Sequence, residues 1–129
     1  MQDRHPVYIV DDDPLIRTWL EAFCEEELLE SRSFASGEEF VRALDELEPG
    51  CVLLDIRMPR RDGLQVQAEL ARRGSRLPVI AMSGYGDVEV AVQSMRLGAT
   101  EFLEKPFTQQ VLGEALKNGF RRLRRALES

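Results

Sequence analysis

The residues of this chain that could do chemistry recur at intervals: Asp11 and Asp12, then Asp55, then Ser83, then Lys105. Each group ends a short run of strand-forming residues: Val7-Tyr8-Ile9-Val10, Cys51-Val52-Leu53-Leu54, Val79-Ile80-Ala81-Met82 and Glu101-Phe102-Leu103-Glu104. If those ends converge, three carboxylates share one pocket. Two unit charges ~5 Å apart repel by roughly 3 kcal/mol at an effective dielectric of about 20, so a cation has to sit among them. Lys105 supplies one positive charge. A hard divalent ion bound through carboxylate oxygens, a backbone carbonyl and waters would supply the rest, and one or two carboxylates plus a phosphate oxygen is the ligand set that suits Mg²⁺. A carboxylate nucleophile, a metal to neutralise a moving phosphoryl group, and a hydroxyl and an ammonium to hold its oxygens together describe phosphoryl transfer onto aspartate.

Convergence depends on the elements between these residues. The run ending at Asp55 lies between Pro49-Gly50 and the turn formers Met58-Pro59 and Asp62-Gly63, so its length and boundaries predict a buried strand. Pro6 to Val10 predicts a first strand, and Pro14 at a first helical position makes Asp13 the N-cap, leaving Asp11 and Asp12 in the turn. The helix after it is expected to turn Leu15, Ile16, Trp19, Leu20 and Phe23 inward, with Trp19 in the core. Leu28 to Phe34 carries Glu30, Ser31, Arg32 and Ser33, which suits an edge strand. Ser36 caps a second helix with Phe40, Val41, Leu44 and Leu47 on its apolar stripe. Asp62 to Arg73 predicts a third, with Leu64, Ala68 and Leu70 or Ala71 inward and Gly74 as its stop. Pro78 to Met82 predicts a fourth strand. Asp87 then caps a helix presenting Val88, Ala91, Val92 and Met95, ended by Gly98, and after a short fifth strand Thr108 starts a last helix with Leu112, Ala115, Leu116, Phe120, Leu123 and Leu127 in register. Five strands alternating with five helices imply a doubly wound α/β domain, its parallel sheet covered on both faces by right-handed crossovers.

At 129 residues the chain is expected to be one domain, residues 1–129. Its hydrophobic fraction of 43% against 31% charged is that of a folded globular protein. The net charge of -6 is uneven, because residues 117 to 129 carry five basic side chains and one acidic one while the rest of the chain is strongly acidic. An acidic body argues against nucleic-acid binding by this domain, and the basic tail suits a helix C-terminus. Only Lys105 and Lys117 among 17 basic residues are lysines, which draws attention to Lys105. Cys24 and Cys51 make neither a disulfide framework nor a metal spacing and are assigned to core packing. With no secretory segment near Met1 and no membrane-length apolar run, a cytoplasmic location is expected.

The sequence resembles a response-regulator receiver domain of two-component signalling, of the CheY-like superfamily, over essentially its whole length. VDD, LLDIRMPRRDG, SGYGD and EKPF carry the resemblance at the expected separations. It implies a flavodoxin-like fold with strand order 2-1-3-4-5. It implies that Asp55 accepts a phosphoryl group from a sensor histidine kinase, with Mg²⁺ held by Asp12, Asp55 and the backbone carbonyl of Arg57, and by Asp11 largely through water. Ser83 and Lys105 match the phosphate-oxygen ligands, Phe102 the aromatic switch position, and Lys105-Pro106 a peptide usually cis in the family. The resemblance also implies that Arg57 and Tyr85 flank the phosphate and can gate attacking water. Such a domain is no enzyme in the ordinary sense, although it catalyses its own phosphorylation and dephosphorylation.

Two other classes compete. A haloacid-dehalogenase-like phosphatase also uses a strand-end aspartate with Mg²⁺, but wants a second aspartate two places on, where Arg57 stands. A flavin- or nucleotide-binding module wants a glycine- or hydroxyl-rich loop after strand one, and Asp11-Asp12-Asp13 would repel its phosphate. The pattern around SGYGDVEVAVQSMRLGA and EKPF resembles receivers joined to a DNA-binding or ATPase effector. The last residues, from about 121, are expected to extend the final helix toward such an effector, which is absent from these 129 residues. Phosphorylation is expected to alter the face made by the fourth helix, fifth strand and fifth helix, where Arg96, Glu101, Glu104 and Lys117 offer both charge signs to a second copy, giving a homodimer.

Overall fold

The computed structural model describes residues 5–58 and 62–128. Pro59, Arg60 and Arg61 of the LLDIRMPRRDG motif lie outside the described residues, as do the first four residues and Ser129. The elements follow in the order β1 (Val7–Val10), α1 (Pro14–Glu26), β2 (Ser31–Phe34), α2 (Gly37–Ala43) with a 3₁₀ turn at Leu44–Glu46, β3 (Cys51–Asp55), α3 (Gly63–Arg72), β4 (Val79–Gly84), α4 (Val88–Arg96), β5 (Glu101–Lys105) and α5 (Gln109–Glu128). All strand pairings are parallel and the sheet order is β2-β1-β3-β4-β5, the flavodoxin-like order expected.

Alternation along the strands divides the core in two. Val7 and Ile9 of β1, Cys51 and Leu53 of β3, and Ile80 and Met82 of β4 face one layer, where Leu20, Phe23 and Cys24 of α1 meet Leu112, Leu116 and Phe120 of α5. Tyr8, Val10, Val52, Leu54 and Ala81 face the other, against Phe40 and Val41 of α2, Val66 and Leu70 of α3, and Val90 of α4. Because β1, β3 and β4 are covered on both sides, their sequences read as continuous apolar runs. β2 lies at the sheet edge and is shorter than expected. Leu28, 85% exposed with φ 59°, is spent on the left-handed turn that closes α1.

The helix termini follow the sequence closely. Asp13 accepts from the Leu15 N–H and Ser36 from the Glu39 N–H; Asp62 and Gln65 form a reciprocal capping box, and Gly74 and Gly98 close α3 and α4 with positive φ. Four helix faces differ from expectation. In α5 the inward stripe stops at Leu123, because the last turn runs past the sheet, and Leu127 is exposed. In α1, Leu15 is 78% exposed and Trp19 38% exposed; the buried stripe runs through Leu20, Phe23 and Cys24, and Trp19 rests edge-on against Phe107 at 5.8 Å. In α3 the inward residues are Val66, Gln67 and Leu70, while Ala68 and Ala71 face solvent. In α4, Val88, Val92 and Met95 are exposed, and Val90 and Ser94 are buried. The last two corrections share a cause. Gln67 Nε2 donates to the Ser94 carbonyl at 3.1 Å, and the Ser94 hydroxyl donates to Gln67 Oε1 at 2.7 Å. This buried polar clasp satisfies both side chains and rotates α4 away from the face its apolar residues suggest.

Candidate functional site

Asp55 is the last residue of β3, the middle strand of the sheet, and is only 4% exposed. Asp11 follows β1 on one side, Lys105 ends β5, and Asp12 stands at the pocket mouth, exposed. Ligand oxygens of Asp11, Asp12 and Asp55 lie within 4.8 Å of one another. The parallel sheet produces this convergence by bringing all strand carboxyl ends to one rim. Gly63 lets the start of α3 approach the end of β3 closely: a Cβ there would meet Ile56 Cα at 2.6 Å and the Asp55 carbonyl oxygen at 2.7 Å.

Lys105 Nζ donates to Asp11 Oδ2 at 2.8 Å and lies 3.6 Å from Asp55 Oδ1. The other Asp11 oxygen accepts the Asp13 N–H at 2.9 Å, and the Arg17 guanidinium donates to the Asp11 carbonyl at 2.7 Å. Among the described residues, Asp55 accepts the Arg57 N–H at 3.2 Å, in addition to the distant ammonium. Its carboxyl is pushed up to about 7, first by burial and then by the negative charge of Asp11, with Lys105 pulling the other way. Among the described residues, one ammonium stands among three carboxylates, and an all-oxygen donor set with that charge balance fits a hard divalent cation such as Mg²⁺.

The other expected site residues are placed less simply. Ser83 is buried near the end of β4, and its hydroxyl donates to the Asp87 carboxylate. The Arg57 side chain also turns to Asp87, donating through Nη2 at 2.9 Å and Nε at 3.2 Å. Asp87 therefore makes no side-chain cap bond to α4, contrary to the sequence expectation, and the arginine and serine hold its carboxyl down to about 2. Phe102, opposite Ala81 in the β4–β5 ladder, is half-buried against the second core layer, and Tyr85 is 90% exposed. The Lys105-Pro106 peptide is cis, as the resemblance implied. Asp87 is the residue whose part in this site the sequence concealed: at a helix start an aspartate reads as a cap, and nothing in its spacing reveals an arginine thirty positions earlier.

Residues 7–117 match the Response regulator receiver domain family. The chain belongs to that family. Among its relatives, the transcriptional regulatory protein FixJ of Azorhizobium caulinodans is 39% identical over 117 residues, covering 91% of this chain and 56% of its own length. The response regulator protein TmoT of Ectopseudomonas mendocina is 37% identical over 122 residues, covering 94% and 56%. This receiver domain thus spans about half the length of the curated relatives it matches. The crystal structure of FixJ-N superposes with a TM-score of 0.87 at 33% identity, covering 92% of this chain and 94% of that one. Full-length FixJ from B. japonicum gives 0.91 at 33% identity, covering 98% and 63%.

Proposed function

We propose that this receiver domain is a phosphorylation-activated switch in which Asp55 takes a phosphoryl group from a sensor histidine kinase. The observation that carries the reading is the buried Asp55 carboxylate on the middle strand, with two further carboxylates and Lys105 around it. Its raised proton affinity comes first from burial and then from the negative charge of Asp11, and Mg²⁺ bound there would favour the charged form. Asp12, Asp55 and the backbone carbonyl of Arg57 would hold the ion, with Asp11 acting largely through water. Bound there, Mg²⁺ would neutralise charge on the transferring phosphoryl group. Asp55 supplies the attacking oxygen, Lys105 holds a phosphoryl oxygen, and the Ser83 hydroxyl swings toward another as its loop moves.

That movement opens space for the ring of Phe102 and shifts α4, altering the face made by α4, β5 and α5. Val88, Val92, Met95 and Leu97 on α4 and its C-cap, and Val111 on α5, are exposed apolar residues that support a contact surface there. We assign to this face a homodimer formed on phosphorylation, within a cytoplasmic protein whose effector is transcriptional, as the names of the FixJ relatives suggest. The phosphatase alternative lacks support, since position 57 is an arginine paired with Asp87.

Incubation with Mg²⁺ and a small phosphodonor, followed by mass spectrometry, is expected to find a base-labile acyl phosphate on Asp55, absent from Asp55→Asn. Undiminished labelling of that variant would sink the assignment. Light scattering with beryllium fluoride, with Phe102→Ala as control, tests the dimer, and an unchanged mass well above micromolar concentration would refute it.

A further inference from the structure

Ser83 has a single hydroxyl proton, and at 1% exposure it has no bulk water to receive it. That proton goes to Oδ2 of Asp87. The same carboxylate takes two N–H bonds from Arg57, so one side chain ties the loop after β3 to the loop after β4, the two that flank Asp55. Asp87 meanwhile occupies the N-cap position of α4 without a cap bond, whereas Asp13, Ser36 and Asp62 all accept from the first turns of their own helices.

We propose that Asp87 is a positioning residue of the phosphorylation site, a latch that holds the Ser83 hydroxyl and the Arg57 guanidinium off Asp55 until a phosphoryl group competes for them. The inference rests on the reading of Asp55 as phosphoacceptor and adds the step that frees its loops. Ser83 can give its one proton to Asp87 or to a phosphoryl oxygen, never to both, so engagement of the phosphoryl group breaks the latch. Released, Asp87 has the spacing to accept the Val90 N–H, three residues on, as Ser36 accepts from Glu39 and Asp62 from Gln65. Phosphorylation thereby exchanges a latch for a cap, and the first turn of α4 gains the partner it lacks in the resting state.

Titrating the whole chain with beryllium fluoride in saturating Mg²⁺, followed by nuclear magnetic resonance, reads both halves. Asp87→Ala removes the competitor, and the mimic is expected to bind about fivefold more tightly than to wild type, the scale of a partly exposed ion pair with a hydroxyl bond. In a Ser83→Ala background that gain should fall to about twofold or less, since only Arg57 remains to be released. In the resting protein the Arg57 Nε–H should exchange slowly and speed up in Asp87→Ala. On saturation the Val90 amide should gain protection in wild type and in Asp87→Asn, which keeps a capping carbonyl, and none in Asp87→Ala. Equal mimic affinity of wild type and Asp87→Ala overturns the latch and leaves the phosphoacceptor reading standing. Binding by neither protein overturns that reading, and the latch falls with it. Should Asp87→Ala fail to fold, Asp87→Asn decides the matter through a gain of about twofold, because it keeps the acceptor and loses the charge; equality with wild type again refutes the latch.

Discussion

The body of the central strand β3 and the carboxylate that ends it are buried to nearly the same depth and contribute to stability with opposite signs. Val52, Leu53 and Leu54 are inaccessible to solvent, and Asp55, the next residue of the same strand, is nearly so. Burial stabilises the first three by removing apolar surface from water. It penalises Asp55, whose charged form loses hydration and faces Asp11. The helices divide accordingly. α5 buries Leu112, Ala115, Leu116, Gly119, Phe120 and Leu123 against the body, while α4 buries only Val90 and Ser94 and is tied to the rim through Asp87. A region that costs stability and is weakly held is where a small chemical change can move the structure.

The largest effect should come from the body. Phe120→Ala is expected to lower unfolding free energy by about 3–5 kcal/mol, measured by urea denaturation, because the ring is enclosed by both α1 and the sheet. A loss below about 1 kcal/mol would break the contrast, since it would leave α5 no better anchored than α4.

Asp55→Asn should act in the other direction at the rim. Folded Asp55 holds its proton up to a pH of about 7, against 3.8 for the ordinary carboxyl. Between those values the folded protein keeps a proton that the unfolded chain has lost, so metal-free stability falls as pH rises through the window and levels off above it. The asparagine variant should flatten that slope and gain roughly 2–4 kcal/mol above neutrality, as should saturating Mg²⁺ on the wild type by favouring the charged form. Parallel thermal melts across the window test this, and a wild-type slope unchanged by the substitution would remove Asp55 as its source.

Smaller effects should separate the two ways α4 is held. Ser94→Ala leaves buried Gln67 Oε1 without its donor and should cost about 1–3 kcal/mol. Met95→Ala, on the exposed face, should change stability by less than about 0.5 kcal/mol. Equal losses from the two would mean that α4 is seated on its apolar residues after all.

Periodicity and turn chemistry made most of the architecture legible. The strand runs ending at Asp11, Asp55, Ser83 and Lys105, the caps at Asp13 and Ser36, the stops at Gly74 and Gly98, and the inward stripe of α5 from Leu112 to Leu123 all follow from local preferences that tertiary packing had no reason to override. The convergence of Asp11, Asp12, Asp55 and Lys105 was legible as well, because a parallel sheet leaves its strand ends nowhere else to go. Tertiary structure alone decided three things. It turned Leu15 and Trp19 outward, since α1 has one face to bury and Leu20, Phe23 and Cys24 fill it. It seated α4 on Ser94, because a hydrogen-bonded serine and glutamine can be buried as fully as a valine, and apolar counting overlooks them. It drew Asp87 from its cap to Arg57 and Ser83, a choice between local and distant partners of similar strength that depends on where β3 and β4 set their loops.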